Sequence, residues 1–483
     1  MNKVINKSLK LNAFLNVIKQ ICVIIGPLII FPYVSKVLGT YYYGKINFGS
    51  SIISYISLIA GLGVTKYAIR EGSKIRNDRE KINKFSSQIF SINFFSTIIA
   101  YIILFILIMF WKKLNGYAIL LLIQSTSVLF TTIGTDWINS IYEDYLYITI
   151  RTIICQIVSI FLILIFVKTP DDYLIYAIAN ASSIIIANTL NMFFVRKKYD
   201  IHPKITLNIE FKTNIKPVLI LFGSSIASTI YMSSDVTILG IIYGETIVGI
   251  YSISAKIYSL VKQVLNASME VAIPRISYEL RNEKKEYVNK NLSKILGNLL
   301  IIVLPVTIGL FMTSKNIIKL IFSNEFISAY SSLEILSFSL IFATLACFFI
   351  NVVMVPFNME KKVLITTIVS AITNIILNFA LIPKFKENAA AFTTLLSEAI
   401  MVIMSCFYTK NIIKLNIKKD LVIGLLGSLI TFGVCKIVLQ IVSNSLFSII
   451  YCIVGSVILY GFFIFIIDKQ KIKMIIKNLK GVN

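Results

Sequence analysis

The chain has 483 residues, of which 57% are hydrophobic and only 14% are charged, and its formal net charge is +24. A water-soluble chain of this length forms two or three domains with charged surfaces, and so few charges cannot cover them. The composition therefore excludes an ordinary soluble enzyme and a disordered chain, and it predicts an all-α protein that crosses a membrane many times.

Long apolar runs recur along the whole sequence. A helix needs about 20 apolar residues to cross a bilayer, which predicts about fourteen transmembrane helices. The eighth span has the weakest signal because it carries Lys256, Lys262 and Glu270. The predicted spans cover residues 11–34, 46–66, 85–110, 117–141, 146–167, 174–195, 217–242, 247–273, 292–313, 328–355, 363–382, 389–408, 421–442 and 446–467.

The lysines and arginines outside the spans lie mostly in every second loop, beginning with the segment before the first span. Basic loops face the cytoplasm, so this bias predicts that both termini are cytoplasmic and argues against nucleic acid as a partner. All cysteines lie within apolar runs, and the one histidine, His202, lies in a basic loop. The sequence therefore predicts no metal site and no cofactor. The short loops carry no P-loop and no carboxylate cluster, which argues against an enzyme.

An internal repeat relates the two halves of the chain. The pattern L-G-x(2,3)-Y-G-x4-G-x3-I-S begins at Leu38 and again at Leu239, although chance similarity is the alternative in a chain rich in Ile, Tyr and Gly. An even number of spans in each copy gives parallel repeats, related by an axis along the membrane normal. We therefore expect two six-helix lobes around a central cavity, at residues 1–208 and 209–415. Two further helices and a basic tail follow at 416–483.

Polar residues recur at helical spacing on the first two spans of each repeat, so each span has one polar face. These four faces predict a shared cavity with more lysine than aspartate, which would attract a phosphate or carboxylate group. Helix packing is the alternative explanation for the serines, and reaching the inner membrane surface is the alternative for Lys19 and Lys262. The predicted substrate-binding residues are Lys19, Ser54, Asp235, Lys256, Ser259 and Lys262.

Other ionisable residues lie within the predicted spans. Asp136 and Arg151 flank a short inward turn and predict a structural ion pair, and Glu270 joins them as a candidate for coupling or ion pairing. Glu334 and Glu398 are candidate proton sites, although each lies within a few turns of an outward helix end. Ionisable groups within a bilayer are costly, so each of these is a candidate functional residue.

Several segments resemble the bacterial Wzx-type flippases of O-antigen and capsule repeat units, which belong to the multidrug/oligosaccharidyl-lipid/polysaccharide exporter superfamily. The resemblance runs over nearly the whole chain and is densest in its first half. Lys36 stands where relatives often have arginine. The segments that carry the resemblance are Gly26-Pro27, Phe31-Pro32-Tyr33-Val34-Ser35-Lys36-Val37-Leu38-Gly39, Gly44, Gly63, Ile69-Arg70-Glu71, Asp136-Trp137, Glu143-Asp144-Tyr145, Arg151 and Lys168-Thr169-Pro170-Asp171-Asp172-Tyr173.

This resemblance implies two lobes in a V shape and a cargo of undecaprenyl-pyrophosphate-linked oligosaccharide, moved to the outer leaflet of the bacterial cytoplasmic membrane. Lys19 and Lys256 match the basic residues that the family has on the first helices of each lobe. The implied partners are the lipid-linked glycan, the bilayer, a glycan polymerase and a chain-length regulator.

Several alternatives remain open. A flippase for lipid II or teichoic acid and a multidrug exporter belong to the same superfamily, and the last would require an acidic cavity. A membrane-bound glycan polymerase or acyltransferase would require reactive side chains in a large loop. A channel would require a cavity open to both sides.

Overall fold

The computed structural model describes residues 9–208, 210, 214–270, 272–282 and 285–467, with only the backbone at 9–29, 220, 224, 268, 270, 274, 275, 281 and 282. The described residues form helices and no strand, which confirms the predicted all-α class. The helices are α1 (Leu9–Gly61), α2 (Val64–Ile75), α3 (Arg79–Phe110), α4 (Ala118–Gly134), α5 (Trp137–Ile141), α6 (Tyr145–Phe166), α7 (Tyr173–Tyr199), α8 (Lys216–Ile242), α9 (Glu245–Glu270), α10 (Ala272–Asn282), α11 (Lys285–Ile321), α12 (Ala329–Cys347), α13 (Glu360–Thr409), α14 (Lys418–Ile441) and α15 (Ser445–Ile467).

Within the described residues, eleven helices are long and apolar enough to cross a membrane. α9 is not among them, because it carries Lys256 and Lys262. α13 contains two of the predicted spans, whereas α1 contains the first span and most of the second, which continues to Lys66 in α2. In α1 and in α13, a residue with non-helical backbone angles separates the two spans. The count of fourteen spans stays a prediction.

The sequence predicted loops at residues 35–45 and 383–388, where α1 and α13 instead have a break at a single residue. In α1 the break is at Gly39, whose φ of 66° costs little because glycine has no side chain. The helix resumes immediately, so residues 35–45, which separate the first two predicted spans, are helical on both sides of Gly39. In α13 the break is at Lys386, with a φ of 52°, three residues after Pro383.

The fourth predicted span, residues 117–141, is also interrupted. α4 ends at Gly134 because Thr135 has a φ of 49°, and α5 begins two residues later. The side-chain amide of Asn191 donates a hydrogen bond of 2.6 Å to the freed carbonyl oxygen of Gly134. A broken helix is tolerated at membrane depth where side chains satisfy its backbone in this way.

The chain divides into two compact units, Met1–Gly249 and Ile250–Asn483. In the first unit, α2, α3, α5 and α8 share an apolar core that includes Tyr67, Ile89, Trp137 and Val218. In the second unit, α11, α14 and α15 pack through Ile301, Ile423 and Ile464. α8 packs against α1 within the first unit. The predicted lobe boundary between residues 208 and 209 stays a prediction.

Glycines of the repeated motif allow helices of the first unit to approach each other closely. A Cβ atom on Gly44 would overlap the backbone of Glu245 and Gly249, and a Cβ atom on Gly240 would overlap the ring of Phe48. Small residues permit such backbone contact between membrane helices. The motif therefore supports helix packing between α1 and the helices α8 and α9.

Candidate substrate-binding and coupling sites

In the first unit, the polar faces of α1 and α8 meet. The Oγ atoms of Ser54 and Ser233 lie 2.8 Å apart, and the Oη atom of Tyr55 lies 3.1 Å from the Oγ1 atom of Thr237. Thr237 also donates a hydrogen bond of 3.0 Å to the Oγ atom of Ser51. These contacts satisfy hydroxyl groups between two apolar helices, as polar residues do where membrane helices pack. Ser54, predicted as a substrate contact, therefore also has a packing partner.

Asp235 lies on α8, close in sequence to these contacts. Asp235 is only 7% exposed, so its carboxylate is buried within the first unit. A buried carboxylate requires hydrogen bonds or an opposite charge, because its desolvation is costly. The predicted role of Asp235 as a substrate contact stays a prediction.

In the second unit, α9 and α13 are joined by a buried ion pair. The Nζ atom of Lys262 lies 2.6 Å from the Oε1 atom of Glu398, whose side chain is 3% exposed. The hydroxyl of Tyr258 lies 3.4 Å from the same oxygen, and its ring centroid lies 5.6 Å from the Lys262 ammonium. Lys262, predicted as a substrate contact, therefore neutralises Glu398 in this structure.

Lys256 lies six positions before Lys262 on α9, and unlike Lys262 it has no ion pair among the described residues of the second unit. Its side chain is half-buried, and within the second unit it makes no ion pair or hydrogen bond with another described residue. Six residues correspond to about 240° around a helix, so the two lysines lie about 120° apart, at opposite edges of the polar face predicted for this span. Ser259, between them, accepts a hydrogen bond of 3.1 Å from the side-chain amide of Gln263. α9 therefore presents one neutralised ammonium and one without a counter-charge in its own unit.

Asp136 and Arg151 lie together beside the break between α4 and α5. The Nη2 atom of Arg151 donates to both carboxylate oxygens of Asp136, at 2.6 and 2.8 Å. The Arg151 side chain is 4% exposed and the Asp136 side chain is 45% exposed, so the cation is the buried partner. The guanidinium carbon also lies 5.3 Å from the ring centroid of Tyr147. This geometry is that of the ion pair predicted from the sequence.

The side chains of Lys19 and Glu270 lie outside the described residues, so their predicted roles stay predictions. Glu334, a candidate proton site, lies 3.5 Å from the hydroxyl of Ser314. In the described part of the chain, no group of three or more His, Cys, Asp or Glu side chains could hold a metal ion.

Sequence reasoning missed the partnership of Lys262 with Glu398. Both residues were recognised as ionisable groups within spans, but 136 positions separate them and no local pattern links them. Their opposite charges were the available signal, because a buried carboxylate in a span requires a cation or a proton. Tyr258, one turn before Lys262, carried no signal of its own.

Comparison with known proteins identifies the family. The sequence model of a family described as "Polysaccharide biosynthesis protein" matches residues 9–280, which is more than half of the chain. The chain belongs to this family. The membership confirms the resemblance to polysaccharide flippases that the N-terminal segments indicated.

Two relatives align with most of this chain. A protein of Escherichia coli K12 described as an O-antigen transporter is 24% identical over 390 residues, covering 80% of this chain and 92% of the relative. The capsular polysaccharide biosynthesis protein CapF of Staphylococcus aureus is 22% identical over 384 residues, covering 76% of this chain and 91% of CapF. Both alignments extend beyond the region that the family model matches.

Solved structures of similar fold are membrane transporters. The lipid II flippase MurJ, in an inward closed conformation, aligns with a TM-score of 0.74 at 21% identity, covering 96% of this chain and 99% of MurJ. An inward-facing multidrug resistance transporter of the MATE family aligns with a TM-score of 0.50 at 14% identity, covering 80% of this chain and 97% of that transporter. At these identities the likeness establishes the fold of this chain and not its cargo.

Proposed function

We propose that this protein is a flippase that moves undecaprenyl-pyrophosphate-linked oligosaccharide repeat units from the inner to the outer leaflet of the bacterial cytoplasmic membrane by alternating access. The family match and the relatives named for O-antigen and capsular polysaccharide support a lipid-linked glycan as cargo. The protein would then move its cargo without making or breaking a covalent bond.

The observation that supports this proposal at the site is that Lys256 lacks a counter-charge among the described residues of its unit. A lysine within a span costs about 2.5–3.5 kcal/mol at mid-bilayer on insertion scales, so it is retained where water or an anion offsets that cost. In its own unit, Lys256 has no carboxylate partner among the described residues. The pyrophosphate of the cargo would supply the missing anion. Lys19 and Lys262 are the further cations that we propose for this group, with Ser54 and Ser259 as hydroxyl contacts and Asp235 as the acidic member of the site.

The test is glycan export in a strain that lacks this gene and accumulates its lipid-linked glycan on the cytoplasmic side. The rate of glycan export by Lys256→Ala should fall by about tenfold or more, because the variant lacks the charge that would bind the cargo. Its membrane abundance should stay normal, because the substitution leaves no buried partner without a counter-charge. Lys256→Arg should retain part of the activity, because the charge is kept and only its geometry changes. The matched control is Lys361→Ala, which removes an exposed lysine from a predicted cytoplasmic loop and should export normally.

Full export by Lys256→Ala at normal abundance would remove this residue from the site. Drug sensitivity of the deletion strain separates the multidrug alternative, because an exporter of cationic drugs would change it without accumulating glycan. The chemical identity of the accumulated lipid distinguishes an O-antigen or capsule unit from lipid II or a teichoic acid precursor.

We further propose that both termini are cytoplasmic, as the distribution of basic residues predicts. Cysteines introduced singly at Thr40 and Asn77 should then react with an impermeant thiol reagent from opposite sides of the membrane, with the unsubstituted protein as the blank. Reaction of both positions from outside would contradict this topology. A glycan polymerase and a chain-length regulator are the proposed partners, which crosslinking in the membrane would detect.

A further inference from the structure

A basic pocket lies within the second unit, at the beginning of α11 and α14. It has a volume of about 350 Å³, which is large enough for a small ligand group. The segment before α14 is attached to α11 by two hydrogen bonds. The backbone N–H of Lys414 donates to Asn289 at 3.3 Å, and that of Asn416 donates to Ser293 at 3.0 Å.

The charge of this pocket is positive and largely uncompensated. Three lysines line it, Lys290, Lys294 and Lys414, together with a single acid, Asp420. None of the three lysines has an ion pair with a described residue, although lysines elsewhere in the chain pair with carboxylates. The three lysines are exposed, so water already screens their mutual repulsion, and an anion bound among them would reduce it further. The amide groups of Asn289 and Asn416 add hydrogen-bond donors.

The position of the pocket indicates which anion it would bind. Directly after Asp420, α14 exposes Leu421, Val422 and Leu425, so an apolar surface begins one residue beyond the pocket. Most of the pocket residues lie in segments that the charge bias assigns to the cytoplasmic side, and Ser293 and Lys294 lie at the cytoplasmic beginning of the predicted span 292–313. A ligand here would therefore have its charged group among lysines and its apolar part beside α14.

We propose that this pocket binds the phosphate headgroup of an anionic bilayer lipid, whose acyl chains lie along the exposed apolar face of α14. Basic pockets between membrane helices on the cytoplasmic side recognise such headgroups. A soluble phosphate would satisfy the lysines but not the adjacent apolar surface. The site is separate from Lys256 and does not depend on which cargo the protein moves.

The experiment uses the full-length protein purified in a neutral detergent and titrated with phosphatidylglycerol, with phosphatidylcholine as the neutral lipid. Native mass spectrometry counts the lipids that stay bound. The variant Lys290→Gln/Lys294→Gln/Lys414→Gln should bind phosphatidylglycerol on the order of a hundredfold more weakly, since each surface lysine contributes about fivefold. Its binding of phosphatidylcholine should not change.

The control variant is Lys197→Gln/Lys204→Gln/Lys361→Gln, which removes three exposed lysines from other predicted cytoplasmic segments and should bind like the unsubstituted protein. Equal loss of binding in both variants would overturn the proposal, because it would reduce the effect to net charge. Inorganic pyrophosphate distinguishes a soluble anion. If it displaces phosphatidylglycerol at micromolar concentration, the site recognises a free anion and the lipid assignment is wrong.

A measurement on the unsubstituted protein keeps the test independent of variant folding. Bound phosphatidylglycerol should exceed bound phosphatidylcholine at low salt, and the excess should fall steeply when salt is raised to about 1 M, where the Debye length is about 3 Å. No preference for the anionic lipid at low salt would overturn the proposal without any substitution.

Discussion

The ion pair between Lys262 and Glu398 should respond unequally to removal of its two partners. Its nitrogen–oxygen distance is 2.6 Å, and the side chains are 29% and 3% exposed, respectively. Removing the lysine leaves a buried carboxylate without a counter-charge, whereas removing the carboxylate leaves an ammonium that reaches water. We therefore expect Lys262→Met to destabilise the protein more than Glu398→Gln.

The magnitude follows from these exposures. Breaking a buried pair costs about 3–5 kcal/mol, and the lower value applies here because Lys262 is partly exposed and Tyr258 lies 3.4 Å from the carboxylate. Glu398→Gln should cost about 1 kcal/mol, the net value of one hydrogen bond. In the double variant the unpaired charge is absent, so its loss should be smaller than the sum of the single losses by about 2 kcal/mol.

The assay is the apparent Tm of the purified protein in detergent for the four members of this cycle, at one scan rate because unfolding of large proteins is often irreversible. Lys256→Met is the matched control, since it removes a lysine from the same helix that has no ion pair in its unit. It should not lower the apparent Tm, because it relieves the cost of a lysine within a span and leaves no carboxylate without its counter-charge. Equal losses for Lys262→Met and Glu398→Gln, or strictly additive losses in the double variant, would refute the reasoning.

The pair at the helix break should show the opposite asymmetry, because there the cation is buried. Asp136→Asn leaves Arg151 buried without its counter-charge and should cost about 3 kcal/mol, whereas Arg151→Met leaves an exposed carboxylate and should cost about 1 kcal/mol, both measured by thermal unfolding. Gly44→Ala should destabilise by about 1–3 kcal/mol, since its Cβ atom would overlap the backbone of Glu245. Gly116→Ala, with no atom within 4 Å of the added Cβ, should stay within about 0.5 kcal/mol in the same measurement.

The sequence predicted the position of the helices better than their interruptions. Apolar length locates a span because every membrane helix must bury about 20 residues in hydrocarbon. The break at Thr135 depends instead on Asn191, which lies 57 positions from the carbonyl that it satisfies. A single residue such as Gly39 can also end and restart a helix, so an extended loop is not required between two spans. Both features depend on tertiary contacts or on one backbone angle, which hydropathy does not report.

The sequence was sufficient to recognise the ionisable residues of the candidate site, but it indicated only some of their ion-pair partners. Lys256, Lys262 and Asp235 were identified because ionisable groups are rare in spans. Asp136 and Arg151 were paired correctly because they flank one short turn. Glu398 lies in a distant helix, so its assignment to Lys262 required the structure. Sequence distance therefore decided which ion pairs could be foreseen.

The difference between the two lysines of α9 explains why Lys256, rather than Lys262, carries the proposal of cargo binding. Lys262 already has its counter-charge, so a cargo phosphate there would have to compete with Glu398 at 2.6 Å. Lys256 has no such competitor among the described residues of its unit, so an incoming anion would gain its full interaction with the ammonium. A lysine within a span that lacks an internal partner costs about 2.5–3.5 kcal/mol, and an anionic ligand that offsets this cost binds more tightly for that reason. A transporter must also release its cargo, and one lysine gives a single mobile point charge rather than the bidentate grip of arginine. Lys256, which has no ion pair among the described residues of its unit, thus suits transient binding of a pyrophosphate better than a lysine in a permanent ion pair would.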